Sequence, residues 1–285
     1  MIDLHTHTTA SDGRCSPPEL VARAAAAGVT VLSVTDHDTV DACEAAAAAC
    51  ATALIDFVTG IEITAIHDEI DVHVLGYFID PGMPGLRLFL AEQRQRRIDR
   101  IGRIVARLQT LGMPLDADAI LQPVIDRPGK SIGRPAIARA LVAAGYVKTT
   151  NEAFDSLLSR GRPGFVPREG AAPEQVFQQI HGAGGVASLA HPGLLRRDQW
   201  IAGFASSGLD ALEAYHTHHD AVTIDRYCAI ARGLGLCLSG GSDYHADASH
   251  GSAHPGSTAL PADAFDQLRE RATSRATASG AGTSS

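Results

Sequence analysis

No run of apolar residues in this chain reaches the length of a membrane span, and its N-terminus shows no basic region followed by an apolar stretch. Neither a membrane anchor nor a signal peptide is therefore expected, and the expected location is the cytoplasm. Cysteine is sparse and unpatterned. Cys15, Cys43, Cys50, Cys228 and Cys237 are odd in number and include no Cys-x-x-Cys pair, which fits reduced thiols buried as small hydrophobes. Positive charge is also short, with 24 Lys and Arg against 32 Asp and Glu and a formal net charge of −8. That balance argues against an extended basic surface for nucleic acid. It leaves room for a small anionic substrate, because bound metal ions can dominate a local site.

What is present is a soluble, globular composition of 285 residues, 45% hydrophobic and 20% charged. That length suffices for one sizeable core, or a core plus an insertion. Histidine is abundant at 13 residues, and its placement carries more information than its number. The chain opens on a short apolar strand, residues 2–4, running into His5-Thr6-His7. Residues two apart in a strand share a face, so the two imidazoles stand side by side, and Asp12 in a Ser-Asp-Gly turn can fold back over them. Imidazoles with a carboxylate in reach form a metal-binding pattern, although a lone His-x-His also occurs by chance.

The rest of the chain alternates strand and helix. Strands are predicted at 30–35, 56–62, 70–78, 185–190, 209–215 and 236–239, and helices at 17–27, 40–53, 173–183 and 221–234. Residues 84–163 break the rhythm with a long amphipathic helix over 86–111 and shorter helices near 135–145 and 151–158. Arg94, Arg96, Arg97, Arg100 and Arg103 are expected to form a solvated face of the long helix. The organisation expected is an α/β fold, a distorted seven-stranded (β/α) barrel from 1–83 and 164–271. A helical insertion, 84–163, covers its active site, and 272–285 form a disordered tail rich in Ser, Thr, Ala and Gly.

His5 and His7, His37, Glu62, His73, His191, and Asp243 with His245 all fall at or just past predicted strand ends. In a barrel, the C-terminal strand ends converge on one mouth, where active sites are built. With Asp12 the set is six imidazoles and three carboxylates. One zinc needs only three or four ligands, so nine candidates point to two or three metals, with Glu62 and Asp243 as candidate bridges. Imidazole-rich sites suit zinc, iron or manganese more than magnesium. Such a site is electropositive, attracts phosphate and acidifies water.

The motifs Asp3-Leu4-His5-Thr6-His7, Ser11-Asp12-Gly13, Thr35-Asp36-His37-Asp38, Gly60-Ile61-Glu62, Val72-His73-Val74-Leu75-Gly76, Leu189-Ala190-His191-Pro192-Gly193 and Gly241-Ser242-Asp243-Tyr244-His245 together resemble the PHP (polymerase and histidinol phosphatase) family of metal-dependent phosphoesterases. The resemblance implies a distorted seven-stranded barrel with three divalent metals. It implies His5, His7, Glu62 and Asp243 on the first metal, Glu62, His73 and His191 on the second, and Asp12, His37 and His245 on the third. Gly133 to Leu141 and Arg160 to Pro167 further resemble the branch that removes the 3′-phosphate of nucleoside 3′,5′-bisphosphates and trims short RNA from its 5′ end. That branch commonly has histidine where this chain has Ala136.

The reaction expected is hydrolysis of a phosphomonoester by a hydroxide held between the metals. The alternative is 5′→3′ exonuclease action on short oligonucleotides. Proton transfer falls to His191, Asp243 or a group behind them, a choice the residues leave open. Asp36 and Asp38 either orient His37 or cap a helix. Arg134 is the leading phosphate contact from the insertion, because guanidinium geometry matches phosphate. His216, His219 and Arg160 are further substrate candidates, with a solvated loop or surface as the plainer reading of each. Amidohydrolase relatives that break C–N bonds often use a carboxylated lysine on a barrel strand. The only lysines here are Lys130 and Lys148, both in the insertion, which counts against that chemistry. A non-catalytic PHP module is disfavoured by the complete ligand motifs.

Overall fold

The computed structural model describes residues 1–126, 131–247 and 251–281, with side chains described to residue 275. Lys130, His250 and residues 282–285 of the expected tail lie outside the described residues. The seven strands are β1 Ile2–Asp3, β2 Val31–Val34, β3 Asp56–His67, β4 Ile70–Tyr77, β5 Val186–Leu189, β6 Ala211–His216 and β7 Cys237–Gly241. The helices are α1 Pro17–Ala26, α2 Cys43–Ala53, α3 Pro84–Thr110, α4 Ala117–Ile125, α5 Arg134–Ala143, α6 Thr150–Ala153, α7 Pro173–Gly182, α8 Pro192–Leu195, α9 Asp198–Ser206, α10 Ala221–Leu234 and α11 Ala262–Ala281. The strands form one sheet in sequence order, and backbone bonds draw its edges together. Leu4 N donates to Gly240 O (3.2 Å), Asp243 N to His5 O (2.8 Å) and His7 N to Tyr244 O (2.9 Å). The result is the distorted, nearly closed barrel that the alternation of elements predicts.

Local sequence explains the elements. Strands β2 and β5, Val-Leu-Ser-Val and Val-Ala-Ser-Leu, are buried throughout, as expected where helices cover parallel strands. Helix α1 starts at Ser16, whose backbone N–H donates to the Glu19 carboxylate at 2.7 Å, with prolines in its first turn. The close backbone approach of β1 and β7 requires glycine: a Cβ on Gly241 would lie 2.3 Å from His5 N.

Four expectations are corrected. First, β4 does not continue the parallel pattern but runs antiparallel to both β3 and β5. A two-residue turn, Asp68-Glu69, joins β3 to β4 with positive φ at both residues (48° and 61°), the geometry of a tight hairpin. Glu62 and His73 therefore lie within long strands rather than at strand ends. They reach the mouth because the hairpin extends beyond it.

Second, the insertion contains α4, hidden in the sequence by Pro123 and started by Asp116, whose side chain accepts from Ala119 N at 3.0 Å. Third, the expected tail is helical as far as Ala281. Leu268 and Ala272 are buried against the barrel, and Arg275 Nε donates to Asp210 at 2.9 Å, so tertiary contacts supply order that the sequence pattern lacks.

Fourth, the α3 arginines are not a uniformly solvated face. Arg97 and Arg100 are buried. Arg97 pairs with Asp38 and donates to Ile132 O (3.1 Å) and Thr64 Oγ1 (3.0 Å), while Arg100 Nε donates to Val166 O (3.0 Å). Helix α3 thus serves two cores. Leu86 and Leu90 pack with Val176, Phe177 and Ile180 on the barrel, and Ile101, Ile104, Val105 and Leu108 pack with Ile137, Leu141 and Leu158 in the insertion.

Removing Arg97 would leave Asp38 as an uncompensated buried charge. Arg97→Met is expected to lower stability by about 3–5 kcal/mol in urea unfolding. Arg103→Met, which breaks only the exposed pair with Glu169, should cost no more than about 1 kcal/mol.

Candidate metal centre

All nine candidate ligands converge at the barrel mouth. Glu62, on β3, is the hub. Its Oε2 lies 3.4 Å from His5 Nε2, 3.3 Å from His7 Nε2 and 3.0 Å from His37 Nδ1. Its Oε1 lies 2.9 Å from His73 Nδ1 and 3.1 Å from His191 Nε2. Asp243 Oδ1 is 3.2 Å from both His5 Nε2 and His7 Nε2. Asp12 faces His37 Nε2 at 3.7 Å, His245 Nε2 at 3.4 Å and His7 Nδ1 at 3.8 Å. Donor atoms gather within metal-chelating range in overlapping groups, among them His5–His7–Asp243, His37–Glu62–His73 and His7–Asp12–His37–His245.

The donor chemistry fits divalent cations. His7 Nδ1 is buried without a hydrogen-bond partner, and His37 Nδ1 and His73 Nδ1 approach the Glu62 carboxylate without hydrogen-bond geometry, an arrangement that is costly unless a cation lies between the donor atoms. Burial alone would depress the His5 and His7 imidazoles. The carboxylates of Glu213, Asp243 and Glu62 reverse this and hold His5 well above its ordinary value; hydrogen bonds to Asp243 and Glu62 raise His7 to about 10. Burial pushes His37 down to about 3, so that ring is neutral and ready to ligate. Asp243 is held well below the usual carboxylate range because the imidazoles of His5 and His245, together with hydrogen bonds from His216 and His7, outweigh its burial.

Two site residues, His191 and Asp243, occupy positive φ (29° and 53°). Such conformations cost about 1–3 kcal/mol each and persist only when neighbours hold them. Here His191 N donates to Glu213 Oε2 (2.6 Å) and Asp243 N to His5 O (2.8 Å). Glu213 was not singled out from sequence, yet its Oε1 also meets His5 Nδ1 at 2.9 Å, orienting the ring from behind. Its signal was available: a carboxylate inside the otherwise apolar Ala211–Tyr215 run is rarely buried without a partner.

Neither Asp36 nor Asp38 orients His37 or caps a helix. Asp36 accepts from Thr8 N (2.7 Å), Thr8 Oγ1 (2.6 Å) and Ser11 Oγ (2.6 Å), fixing the turn that carries Asp12. Asp38 accepts from Thr64 N (2.8 Å) and from Arg97.

Beside Asp12, His37 and His73 opens a cavity of about 500 Å³ roofed by the insertion, with Arg97, Arg134, Arg139 and Arg168 in its walls. Arg134 thus lines this cavity. Arg168, absent from the sequence candidates, joins it, and burial among other arginines lowers that guanidinium to about 9. The remaining substrate candidates fare differently. Arg160 is tied on the surface to Glu69, its Nη2 at 2.8 Å from the carboxylate, outside the cavity. His219 uses both ring nitrogens on backbone, meeting Gly193 N at 3.1 Å and Ala214 O at 2.9 Å. His216 is buried, with Nε2 3.4 Å from Asp243 Oδ2, and so stands beside the centre rather than in the cavity.

Protons and metals compete for these carboxylates. His7, raised from 6.5 to about 10, favours the folded metal-free protein fully below about pH 6.5, and that stabilisation is lost as pH rises towards 10. Metal-stripped protein should therefore melt at progressively lower temperature across that window. Metal uptake at pH 7 should release protons, read by calorimetry in buffers of different ionisation enthalpy; uptake without proton release would contradict a protonated His7.

The PHP domain family profile matches residues 3–132. The chain is 34% identical over 255 residues to the 3′,5′-nucleoside bisphosphate phosphatase of Chromobacterium violaceum, covering 88% of this chain and 89% of the relative. It is 36% identical over 253 residues to the 5′-3′ exoribonuclease Rnm of Salmonella typhimurium, covering 85% and 84%. A solved amidohydrolase from Chromobacterium violaceum with bound sulfate and no metal superposes with a TM-score of 0.82 at 33% identity, covering 95% of this chain and 96% of that one. No helix among the described residues is long and apolar enough to cross a membrane. By fold, site and these relatives together, the chain belongs to the PHP family of metal-dependent phosphoesterases.

Proposed function

We propose that this enzyme hydrolyses a phosphomonoester of a small nucleotide, the 3′-phosphate of a nucleoside 3′,5′-bisphosphate, at a centre of three divalent metals. The observation that carries this reading is the sharing of residues between the donor groups and the cavity. Asp12, His37 and His73 line the same space as Arg134 and Arg168. A volume of about 500 Å³ suits a mononucleotide-sized ligand. The named bisphosphate phosphatase relative and the sulfate in the solved neighbour support phosphate as the group recognised.

In this reading His5, His7, Glu62 and Asp243 hold one metal, Glu62, His73 and His191 a second, and Asp12, His37 and His245 a third. Manganese, zinc or iron fit so many imidazoles. Bound there, the ions would supply charge for the phosphoryl oxygens and acidify water. The protein's own groups do the rest. Glu213 orients His5, Asp36 holds the Asp12 turn, and Arg134 positions phosphate. With His191 Nε2 turned to Glu62 as a ligand atom, return of a proton to the leaving oxygen falls to Asp243, whose side chain is 14% exposed, or to a group behind it.

The exonuclease reading is favoured by the exoribonuclease relative. Phosphate release from 3′-phosphoadenosine 5′-phosphate, measured against nucleotide release from a 5′-phosphorylated oligomer, separates the two. Inactivity on both substrates with metals bound overturns both readings. Glu213→Gln should cost roughly 10- to 100-fold in metal affinity or activity, and Asp243→Asn more than that. Metal analysis alongside phosphate-release kinetics checks both variants.

A further inference from the structure

The donor group formed by Asp12, His37 and His245 is less enclosed than the one around His5. The side chains of Asp12 and His37 are 25% and 16% exposed, whereas those of His5 and His7 are fully buried. Its members sit on separate segments: Asp12 on the turn after β1, His37 past the end of β2 and His245 on the loop after β7. Neither Asp12 nor His245 belongs to a strand, so strand pairing alone does not fix the distance between them.

One pair of residues spans that gap. Arg14 N donates to His245 O at 2.9 Å, and the Arg14 guanidinium donates to Asp247 Oδ2 through Nε (2.9 Å) and Nη2 (2.7 Å). Arg14 follows Asp12 by two residues and Asp247 follows His245 by two, so the ion pair sits behind the ligand pair, whose Asp12 Oδ1 and His245 Nε2 are 3.4 Å apart. The other sides of the Asp12 turn have their own supports. Asp36 holds Ser11, Ser131 N donates to Ala10 O at 3.0 Å, and a Cβ on Gly13 would lie 2.4 Å from His7 O, so the turn is pressed against the first strand. Towards β7, the side-chain tie is Arg14 to Asp247.

An ion pair this close to the surface, with Arg14 55% exposed, contributes little to the stability of the fold. Its leverage is on the ligands. A metal ion demands donor atoms within a few tenths of an ångström of their places, and groups that orient ligands from outside change its affinity far more than they change folding.

We propose that Arg14 and Asp247 form a clasp that positions Asp12 and His245 and thereby sets how tightly the ion at Asp12, His37 and His245 is held. This rests on the three-metal reading above. Both are positioning residues, acting through the turns that carry the ligands.

Equilibrium dialysis of metal-stripped protein against graded free manganese, with bound metal counted, resolves the ions by affinity and needs no turnover. Arg14→Met and Asp247→Asn should each weaken one of the three ions roughly three- to tenfold and leave the other two within about twofold. The double variant should lose no more than either single change, because both break the same contact. Arg14→Lys, which keeps the charge and loses the second donor, should show a smaller loss at the same ion. Asp247→Asn carries the test if Arg14→Met fails to fold. Equal weakening of all three ions, no weakening of any, or additive losses in the double variant overturn the clasp. Wild-type protein that binds fewer than three ions overturns the three-metal reading instead.

Discussion

The structure depends on one arrangement of charge: carboxylates and imidazoles buried together at the barrel mouth, with Glu62 touching five histidines. Burying so many acids in a low-dielectric interior is tolerable only where positive charge compensates them. Protons on His5 and His7 provide part of it in the metal-free protein, and divalent ions would provide more. Much of the surrounding architecture keeps this cluster in register. Asp3 accepts from Ser242 N (2.9 Å), Ser242 Oγ (2.6 Å) and Gly256 N (2.7 Å), which ties the Asp243 loop to the first strand.

The insertion is joined to the cluster by the same kind of chemistry. Asp38 follows His37 directly, and its pairing with Arg97 connects the β2 end to the middle of α3. Thr64, on β3, meets both members of that pair. The helix that roofs the cavity is thus anchored one residue from a candidate ligand. Its apolar neighbours give it a core of its own, while Leu86 and Leu90 fix its near end to the barrel. The cavity and the donor cluster share walls because the connection between them is ionic and buried.

Much of this was legible in the sequence because the chemistry is local to short motifs. His5-Thr6-His7, Asp36-His37-Asp38 and Asp243-Tyr244-His245 each place polar groups at a strand end, where periodicity and turn residues already reveal the position. What stayed hidden depends on contacts between distant residues. Nothing around Arg97 distinguishes it from Arg94 or Arg96 until Asp38 is seen opposite. Arg168 follows a proline-rich return with no periodic pattern, and Glu213 gains its partner 208 residues away. The reversal of β4 escaped because a strand's direction is a property of its pairing, whereas its alternation reads alike both ways. The order in α11 escaped for a related reason, since Ala272 and Arg275 are held by the barrel and by Asp210 rather than by any stripe of their own.

The seam between β1 and β7 gives the candidate site a place in the folding history of the chain. His5 and His7 come with the first strand, Asp243 and His245 with the last, and the backbone bonds Asp243 N to His5 O and His7 N to Tyr244 O that join them also close the barrel. A growing chain emerges N-terminus first and holds these histidines long before their acidic partners exist. Pairing across such a separation is slow because loop closure comes before any reward. Barrel closure and completion of the metal-binding cluster are therefore one event, and a chain that has not closed has no finished site to load.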